Sequence, residues 1–163
     1  MTIVCNLKVL LSNYMNKALK RNRHEDILEY LSFFPVTAVL GPRQCGKSTL
    51  AKTIIKNHGN SLYLDLELGS DLNKLRDPEA FFRLNADKLI CLDEIQRLPE
   101  IFPLIRSLVD ISRKPGQFLL LGSASPQLLQ QSSESLAGRI GYIELNPFNL
   151  TEIPRKELKK HWF

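Results

Sequence analysis

The chain has 163 residues, which is enough for one domain with a proper core and too few for two domains of ordinary size. Its hydrophobic fraction of 44% is ordinary for a globular protein, and no stretch approaches the ~20 apolar residues that span a bilayer. No internal repeat or low-complexity segment is present. These features argue against a transmembrane, repeat or low-complexity protein.

The net charge of +5 comes from the two ends of the chain. Residues 1–24 contain basic residues and no acid, residues 151–163 are basic overall, and residues 25–150 are slightly acidic. A basic end suits contact with nucleic acid or an anionic membrane, but more often it is a solvated helix face. Because no aromatic interleaving or recognised nucleic-acid fold accompanies the charge, nucleic-acid binding stays an alternative, and membrane binding is not expected.

The cysteines and the N-terminal sequence bear on the cellular compartment of the protein. Cys5, Cys45 and Cys91 show no C-x-x-C or metal-ligand spacing, which fits a reducing compartment better than a disulfide framework. The apolar run at residues 7–11 is interrupted by Lys8 and has no small-residue cleavage site after it, so it does not read as a signal peptide. We therefore expect a cytoplasmic protein.

Helix-like and strand-like segments alternate along the chain. An apolar helical face begins at His24 and stops at Pro35, and further helices are expected after residue 48 and from Asp77, Pro99 and Ser125. Apolar or alternating runs predict strands at 36–40, 61–66, 88–94, 117–122 and 141–145. This alternation predicts an α/β fold, in which helices cover both faces of a parallel sheet and a helical segment precedes it.

Residues 41–48 form a complete phosphate-binding loop, or Walker A motif, between a predicted strand and a predicted helix. Glycines let the backbone wrap around phosphate oxygens, and the helix N-terminus adds partial positive charge. Lys47 would reach the terminal phosphates, and the Ser48 hydroxyl would join a Mg²⁺ shell. The predicted nucleotide-binding residues are Gly41, Pro42, Gln44, Cys45, Gly46, Lys47, Ser48 and Thr49.

Two features of this loop have a second interpretation. The loop as a whole has the composition of a glycine turn that merely caps a helix, although its strand and helix flanks favour a nucleotide site. Cys45 is either a redox-active thiol beside a positive helix N-terminus or a small residue that fits the loop, and we favour the second interpretation.

Two acids, Asp93 and Glu94, end the apolar run that begins at residue 89. Hydrolysis of a bound triphosphate needs a metal and a positioned water in addition to the loop. Asp93, as the Walker B acid, would hold Mg²⁺ directly or through water, and Glu94 would orient and polarise the attacking water. Acids after a strand are common on protein surfaces, but their occurrence together with the loop favours the catalytic interpretation.

Two later residues complete the candidate catalytic set. Ser123 ends the next predicted strand, where its hydroxyl would bond the γ-phosphate or the water, although a turn or helix-capping serine fits equally well. Arg139 follows the last predicted helix, and its planar guanidinium group is suited to bind phosphate charge. The alternative is that Arg139 forms an ion pair on the surface. The predicted catalytic residues are Lys47, Glu94, Ser123 and Arg139, and the predicted metal ligands are Ser48 and Asp93.

Together these motifs resemble a known group. The sequence is similar to prokaryotic AAA-type ATPases of the AAA+ superfamily at Gly41–Ser48, Tyr63–Asp65, Leu92–Gln96, Gly122–Ser125 and Leu136–Arg139. More narrowly, it resembles a group usually joined to a C-terminal nuclease-like domain of unknown function. The resemblance covers about residues 13–151.

The resemblance implies a P-loop NTPase three-layer sandwich with a five-stranded parallel sheet of order 5-1-4-3-2. It implies ATP and Mg²⁺ as ligands, Ser123 as a sensor, and Arg139 as an arginine finger toward a neighbouring subunit of a homo-oligomer. The expected regions are an N-terminal helical segment at 1–34, the ATPase core at 35–151 and the start of a following region at 152–163. Because relatives continue into a helical lid region and a second domain, we expect this chain to be a truncated ATPase core.

The leading hypothesis is therefore Mg²⁺-dependent ATP hydrolysis by an AAA+ type domain. One alternative is an ATP-binding switch without appreciable turnover, and another is a nucleic-acid-associated module that uses the basic ends. A small-molecule kinase is a further alternative, which the Asp93 and Glu94 pair disfavours because it suits water as the acceptor. No guanine-reading N-K-x-D tetrapeptide is present, and the preference for adenine rests on the resemblance.

Overall fold

A computed structural model describes residues 21–147 and residue 152, which fall into two compact units. Arg21, Asn22 and Glu152 belong to one unit, in which Arg21 Nε and the Asn22 backbone N–H both donate to Glu152 Oε1 at 3.0 Å. The other unit, 23–147, contains every predicted site residue. Most of the basic ends, with Cys5 and the predicted region after residue 152, lies outside the described residues.

Six α-helices and five strands make up the unit 23–147. The helices are α1 (Arg23–Phe33), α2 (Lys47–His58), α3 (Gly69–Lys74), α4 (Pro78–Leu84), α5 (Phe102–Ser112) and α6 (Pro126–Leu136). The strands are β1 (Val36–Leu40), β2 (Ser61–Asp65), β3 (Leu89–Asp93), β4 (Phe118–Gly122) and β5 (Ile140–Glu144). Two 3₁₀ turns, Ile95–Arg97 and Pro99–Ile101, lie between β3 and α5. None of the helices described is long and apolar enough to cross a bilayer.

All five strands run parallel in one sheet of order β2-β3-β4-β1-β5. Read from its other side this order is 5-1-4-3-2, so the predicted α/β fold and its strand order are confirmed. β4 lies between β1 and β3, with Leu40 of β1 in register with Gly122 of β4. The carboxyl ends of these three strands therefore meet along one side of the sheet, which we call the carboxyl edge.

Apolar clusters fill the space on both faces of the sheet. One cluster holds buried residues of α4, α5 and α6, and the other holds buried residues of α1 and α2. Successive residues of a central strand alternate between them, with Leu120 in the first cluster and Leu119 and Leu121 in the second. Because both faces are covered, the central strands are continuously apolar, as their sequence predicts.

Two helix starts have the capping chemistry that the sequence predicts. The Asp77 side chain accepts a hydrogen bond from Ala80 N at 3.0 Å before α4. The Ser125 hydroxyl accepts one from Leu128 N at 3.3 Å before α6. In both helices proline follows the cap directly, where its missing N–H costs no hydrogen bond.

Two segments differ from the sequence-based expectation. α3 was not expected, because its six residues show no apolar periodicity and none of them is buried. The helix expected from Pro99 begins only at Phe102. A helix that started at Pro99 would place Pro103 beyond the first turn, where a backbone N–H is needed, so the 3₁₀ turn Pro99–Ile101 comes first.

The start of the phosphate loop packs directly against the chain after β5. Gly41 N donates to the Gly122 carbonyl at 3.2 Å, and Leu145 N donates to the Leu40 carbonyl at 2.7 Å. A Cβ on Gly41 would lie 2.1 Å from the Leu145 carbonyl oxygen. Glycine is therefore required at position 41 because the neighbouring backbone approaches so closely.

We expect Gly41→Ala to lower the free energy of unfolding by about 2 kcal/mol or more, because the clash is with main-chain atoms. Gly69→Ala is the matched control, since no heavy atom lies within 4 Å of a Cβ there. It should change stability by less than about 0.5 kcal/mol. Urea unfolding of both variants measures the difference, and equal stabilities would contradict the close packing inferred at Gly41.

Candidate nucleotide site

The predicted site residues, apart from Arg139, come together at the carboxyl edge. The loop at 41–48 follows β1, Asp93 is the last residue of β3, and Ser123 follows β4 directly. In open parallel sheets, ligands bind at this edge because the loops there are free to vary. The sheet order thus brings three separate sequence motifs to one place.

The phosphate loop turns sharply into α2. Gln44 and Gly46 both have positive φ, at 63° and 95°, and α2 begins at Lys47 without a side-chain cap on its first turn. For Gln44 the left-handed backbone costs on the order of 1 kcal/mol. Backbone N–H groups at such a turn and helix N-terminus form an anion-binding concavity. Cys45 is buried in the apolar cluster under α1 and α2, which supports its interpretation as a packing residue.

Lys47 is almost fully buried, with 6% of its surface exposed. Its Nζ donates to the carbonyl oxygens of Gly41 and Pro42, both at 3.0 Å. The charge of the ammonium is thus balanced by dipoles of the same loop that would receive phosphates. The site therefore has a cation in place that can exchange carbonyl partners for phosphate oxygens.

The Asp93 carboxylate is 2% exposed and is held by two donors. Its Oδ1 accepts from Glu94 N at 3.0 Å, and its Oδ2 accepts from the Tyr63 hydroxyl. The Ser48 side chain lies close to the Tyr63 hydroxyl. Burial, and then the bond to Asp93, raise the pKa of Tyr63 far above its ordinary value, which keeps the phenol protonated. Tyr63 thus bonds one predicted metal ligand, Asp93, and lies close to the other, Ser48.

This oxygen-donor set suits a magnesium ion. A carboxylate and a hydroxyl are hard ligands, and Mg²⁺ is commonly held by one or two protein groups together with substrate phosphates and water. Among residues 21–147 and 152, no group of three or more His, Cys, Asp or Glu side chains is arranged to hold a metal alone. Asp93 and Ser48 are ligands of the type that Mg²⁺ combines with substrate phosphates.

Glu94 follows β3 in a left-handed backbone conformation, with φ at 58° and ψ at 45°. Its Oε2 accepts a hydrogen bond from Gln96 Nε2. The same Gln96 side chain accepts from the backbone N–H of Ser123, with Oε1 at 3.4 Å from the nitrogen. A single amide thus joins the predicted base to the predicted sensor position.

Arg139 lies at the amino ends of the strands, opposite the carboxyl edge where the other candidates lie. Its carbonyl accepts from Val36 N at 3.1 Å, at the amino ends of β1 and β5. Its guanidinium binds Asp110 with Nε to Oδ1 and with Nη2 to Oδ2 at 3.0 Å. This hydrogen bonding lowers the pKa of the Asp110 carboxyl. Within one chain Arg139 does not meet the phosphate loop, and its role toward a neighbouring subunit stays a prediction.

Sequence reasoning missed two residues of this site, Tyr63 and Gln96. Both belong to segments that carry the family resemblance, but no role was inferred for either. Tyr63 is the middle residue of β2, two positions before its carboxyl end, and is in register with Cys91 of β3. A polar residue near the carboxyl end of each strand is the signal by which the sequence could have indicated them.

Comparison with known sequences assigns a family. Residues 34–154 match a family described as an AAA domain. The chain is 39% identical over 128 residues to the uncharacterized proteins Rv2008c of Mycobacterium tuberculosis and Mb2031c of Mycobacterium bovis, covering 78% of this chain and 29% of each relative. The uncharacterized protein MJECL04 of Methanocaldococcus jannaschii is 25% identical over 154 residues, covering 79% of this chain and 35% of that relative. The chain thus spans 29% to 35% of the length of these curated relatives.

Solved structures share the fold. The Walker-type ATPase PABY2304 of Pyrococcus abyssi aligns with a TM-score of 0.63 and 19% identity, covering 89% of this chain and 63% of that chain. AMPPCP-bound DnaA of Aquifex aeolicus aligns with a TM-score of 0.57 and 18% identity, covering 91% and 55%. At these identities the likeness concerns the fold alone. The family match over residues 34–154 and the motifs at the carboxyl edge agree: the chain belongs to the AAA domain family of ATPase-type nucleotide-binding domains.

Proposed function

We propose that this domain binds ATP with Mg²⁺ at the carboxyl edge and hydrolyses it. The observation that carries the proposal is the convergence of the phosphate loop, Asp93, Glu94 and Ser123 at the adjoining ends of β1, β3 and β4. Phosphoryl transfer to water requires these parts together, namely a phosphate cradle, metal ligands and a group that orients the water. The end of β1 leads into the cradle, the end of β3 supplies Asp93 and Glu94, and Ser123 follows the end of β4.

Nucleotide binding is assigned to the loop at 41–48 and to Thr49, the next residue of α2. Lys47 would exchange the Gly41 and Pro42 carbonyls for terminal phosphate oxygens, which form stronger charge-assisted hydrogen bonds with the ammonium. Backbone N–H groups around Gly46 and the N-terminus of α2 would bind the remaining phosphate charge.

Ser48 and Asp93 would hold Mg²⁺. When bound, the ion would neutralise charge on the phosphate oxygens and help to orient them. Glu94 would accept a hydrogen bond from the attacking water and increase its nucleophilicity, and Ser123 would contact the γ-phosphate or that water. Arg139 would stabilise transition-state charge at the nucleotide of a neighbouring copy in a homo-oligomer.

One alternative has a specific observation in its favour. Arg139 lies at the amino ends of β1 and β5, away from the phosphate loop of its own chain, so an isolated chain would lack a cation that the reaction needs. In that case the domain would bind ATP as a switch without appreciable turnover. Measurement of phosphate release by the purified chain, both diluted and concentrated, separates the two functions, because only an assembling ATPase gains specific activity with concentration.

Other expectations from the sequence stay predictions. They concern a cytoplasmic location, the boundaries at residues 34 and 151, a helical lid with a nuclease-like domain in longer relatives, and contact of the basic ends with nucleic acid. A nucleic-acid contact would weaken steeply with rising salt, because Lys and Arg would displace condensed counterions.

We expect Glu94→Gln to slow hydrolysis at least ~100-fold while ATP affinity is retained, because the amide cannot act as a base. Glu100→Gln is the matched control, since Glu100 is an exposed residue of the nearby turn Pro99–Ile101. Phosphate release and calorimetric ATP binding measure the two quantities. Unchanged turnover in the Glu94 variant would contradict the role assigned to this carboxylate.

We expect Tyr63→Phe to raise the Mg²⁺ concentration needed for tight ATP binding about tenfold, because the Asp93 carboxylate loses the hydroxyl donor that orients it. Tyr142→Phe is the matched control, because it also removes one tyrosine hydroxyl. That hydroxyl forms a hydrogen bond of 2.8 Å with Ser132 and lies away from the site. Each variant should lose about 1 kcal/mol of stability. Calorimetric ATP titrations at graded Mg²⁺ provide the test, and an equal Mg²⁺ requirement in the two variants would refute the role of Tyr63.

We expect Arg139→Ala and Glu94→Gln each to lower hydrolysis at least ~100-fold, and an equimolar mixture to exceed either variant at least ~10-fold. Mixing places an intact Arg139 beside a subunit with an intact Glu94. Arg106→Ala serves as the control, because Arg106 is an exposed residue that also faces Asp110, at 4.0 Å. If Arg139→Ala lowers stability but mixing restores nothing, the arginine is a structural ion-pair partner.

A further inference from the structure

Gln96 spans the gap between two neighbouring strand ends at the carboxyl edge. It belongs to the 3₁₀ turn Ile95–Arg97 after β3, and it is partly buried. Its Nε2 donates to Glu94 Oε2, and its Oε1 accepts from Ser123 N at 3.4 Å. Only this orientation of the amide satisfies both neighbours, because a carboxylate needs a donor and a backbone N–H needs an acceptor.

The amide lies in a slot that Gly122 makes possible. A Cβ at position 122 would lie 3.0 Å from Gln96 Oε1, 2.8 Å from Leu128 Cδ2 and 3.1 Å from Ile95 Cγ2. Glycine at the end of β4 therefore leaves room for the amide beside Ser123.

The backbone of Glu94 is fixed independently of Gln96. Its N–H donates to Asp93 Oδ1, and its carbonyl accepts from Arg97 N at 2.9 Å. What Gln96 determines is the position of the Glu94 carboxylate, because it engages Oε2 of that group. A hydrogen bond to an ionised acceptor is stronger than a neutral one, so this contact is well suited to hold the side chain.

We propose that Gln96 is a positioning residue that fixes the Glu94 carboxylate relative to Ser123, so that displacement of Ser123 by bound nucleotide moves the base. The inference rests on the proposed ATPase function for its kinetic consequence. The coupling itself concerns only the contacts of Gln96 and is measurable without turnover.

A purely structural amide would behave differently, and the chain contains one for comparison. Gln130 Nε2 donates to Glu134 Oε1 at 2.9 Å on the exposed surface of α6. A Gln→Glu substitution at either position places two carboxylates side by side. Only at position 96 should this alter the turnover number.

The first experiment measures the coupling by NMR on the full chain. Glu94→Gln should shift the backbone amide resonance of Ser123, and this shift should fall by at least about half in a Gln96→Met background. The Arg97 amide is the internal control, because it bonds the Glu94 carbonyl and should respond equally in both backgrounds. An equal Ser123 response in both backgrounds would overturn the proposal.

The second experiment measures turnover. Gln96→Glu should lower kcat about 10-fold to 100-fold, because the base is misplaced, and leave KM for ATP within about twofold. Gln130→Glu should leave both constants within about twofold of the natural chain. A Gln96→Glu variant with unchanged kcat in an active ATPase would overturn the positioning role.

The two proposals fail in distinguishable ways. If the natural chain does not hydrolyse ATP but the Ser123 response depends on Gln96, the ATPase assignment fails and the coupling stands. If hydrolysis proceeds and neither the Ser123 response nor kcat depends on Gln96, the inference fails and the ATPase assignment stands. Thermal unfolding of Gln96→Met and Gln96→Glu confirms that each variant is folded before these comparisons.

Discussion

The arrangement of the site depends on the parallel pairing of β1, β4 and β3 in that order. Parallel strands place all their carboxyl ends at one edge, so three motifs far apart in sequence become neighbours. The pairing is possible because both faces of these strands are covered by apolar clusters. The close approach of Gly41 to the Leu145 carbonyl belongs to the same constraint, since it fixes the start of the phosphate loop against the chain that leaves β5.

The polar groups of the carboxyl edge are held by one another. A carboxylate as buried as Asp93 is costly unless it is hydrogen-bonded, and Tyr63 and the Glu94 N–H supply its donors. Lys47 is likewise buried and bound to carbonyl oxygens of its own loop. The Lys47 ammonium is thus pre-positioned by neutral carbonyl acceptors, which are weaker partners for it than phosphate oxygens would be.

The α/β class, the phosphate loop and the acids at the end of β3 could be predicted from local sequence, because glycine spacing and apolar runs are local properties. The strand order came from the family resemblance. The contacts of Tyr63 with Asp93 and of Gln96 with Ser123 could not be predicted from the sequence. Each joins residues 27 to 30 positions apart, which meet only after the sheet forms. α3 was missed because none of its residues is buried, and the start of α5 is shifted by Pro103.

The position of Arg139 limits what one chain can do. Arg139 precedes β5, whose five residues extend roughly 17 Å at about 3.3 Å per residue. About the length of one strand therefore separates Arg139 from the phosphate loop at the carboxyl edge. Its pair with Asp110 is exposed, and exposed ion pairs are easily exchanged. Reorientation within the chain would therefore not bring this guanidinium to the phosphate loop of its own chain, whereas the loop of a second copy packed against the amino ends of β1 and β5 would lie near it. If Arg139 participates in hydrolysis, the active unit must contain at least two chains.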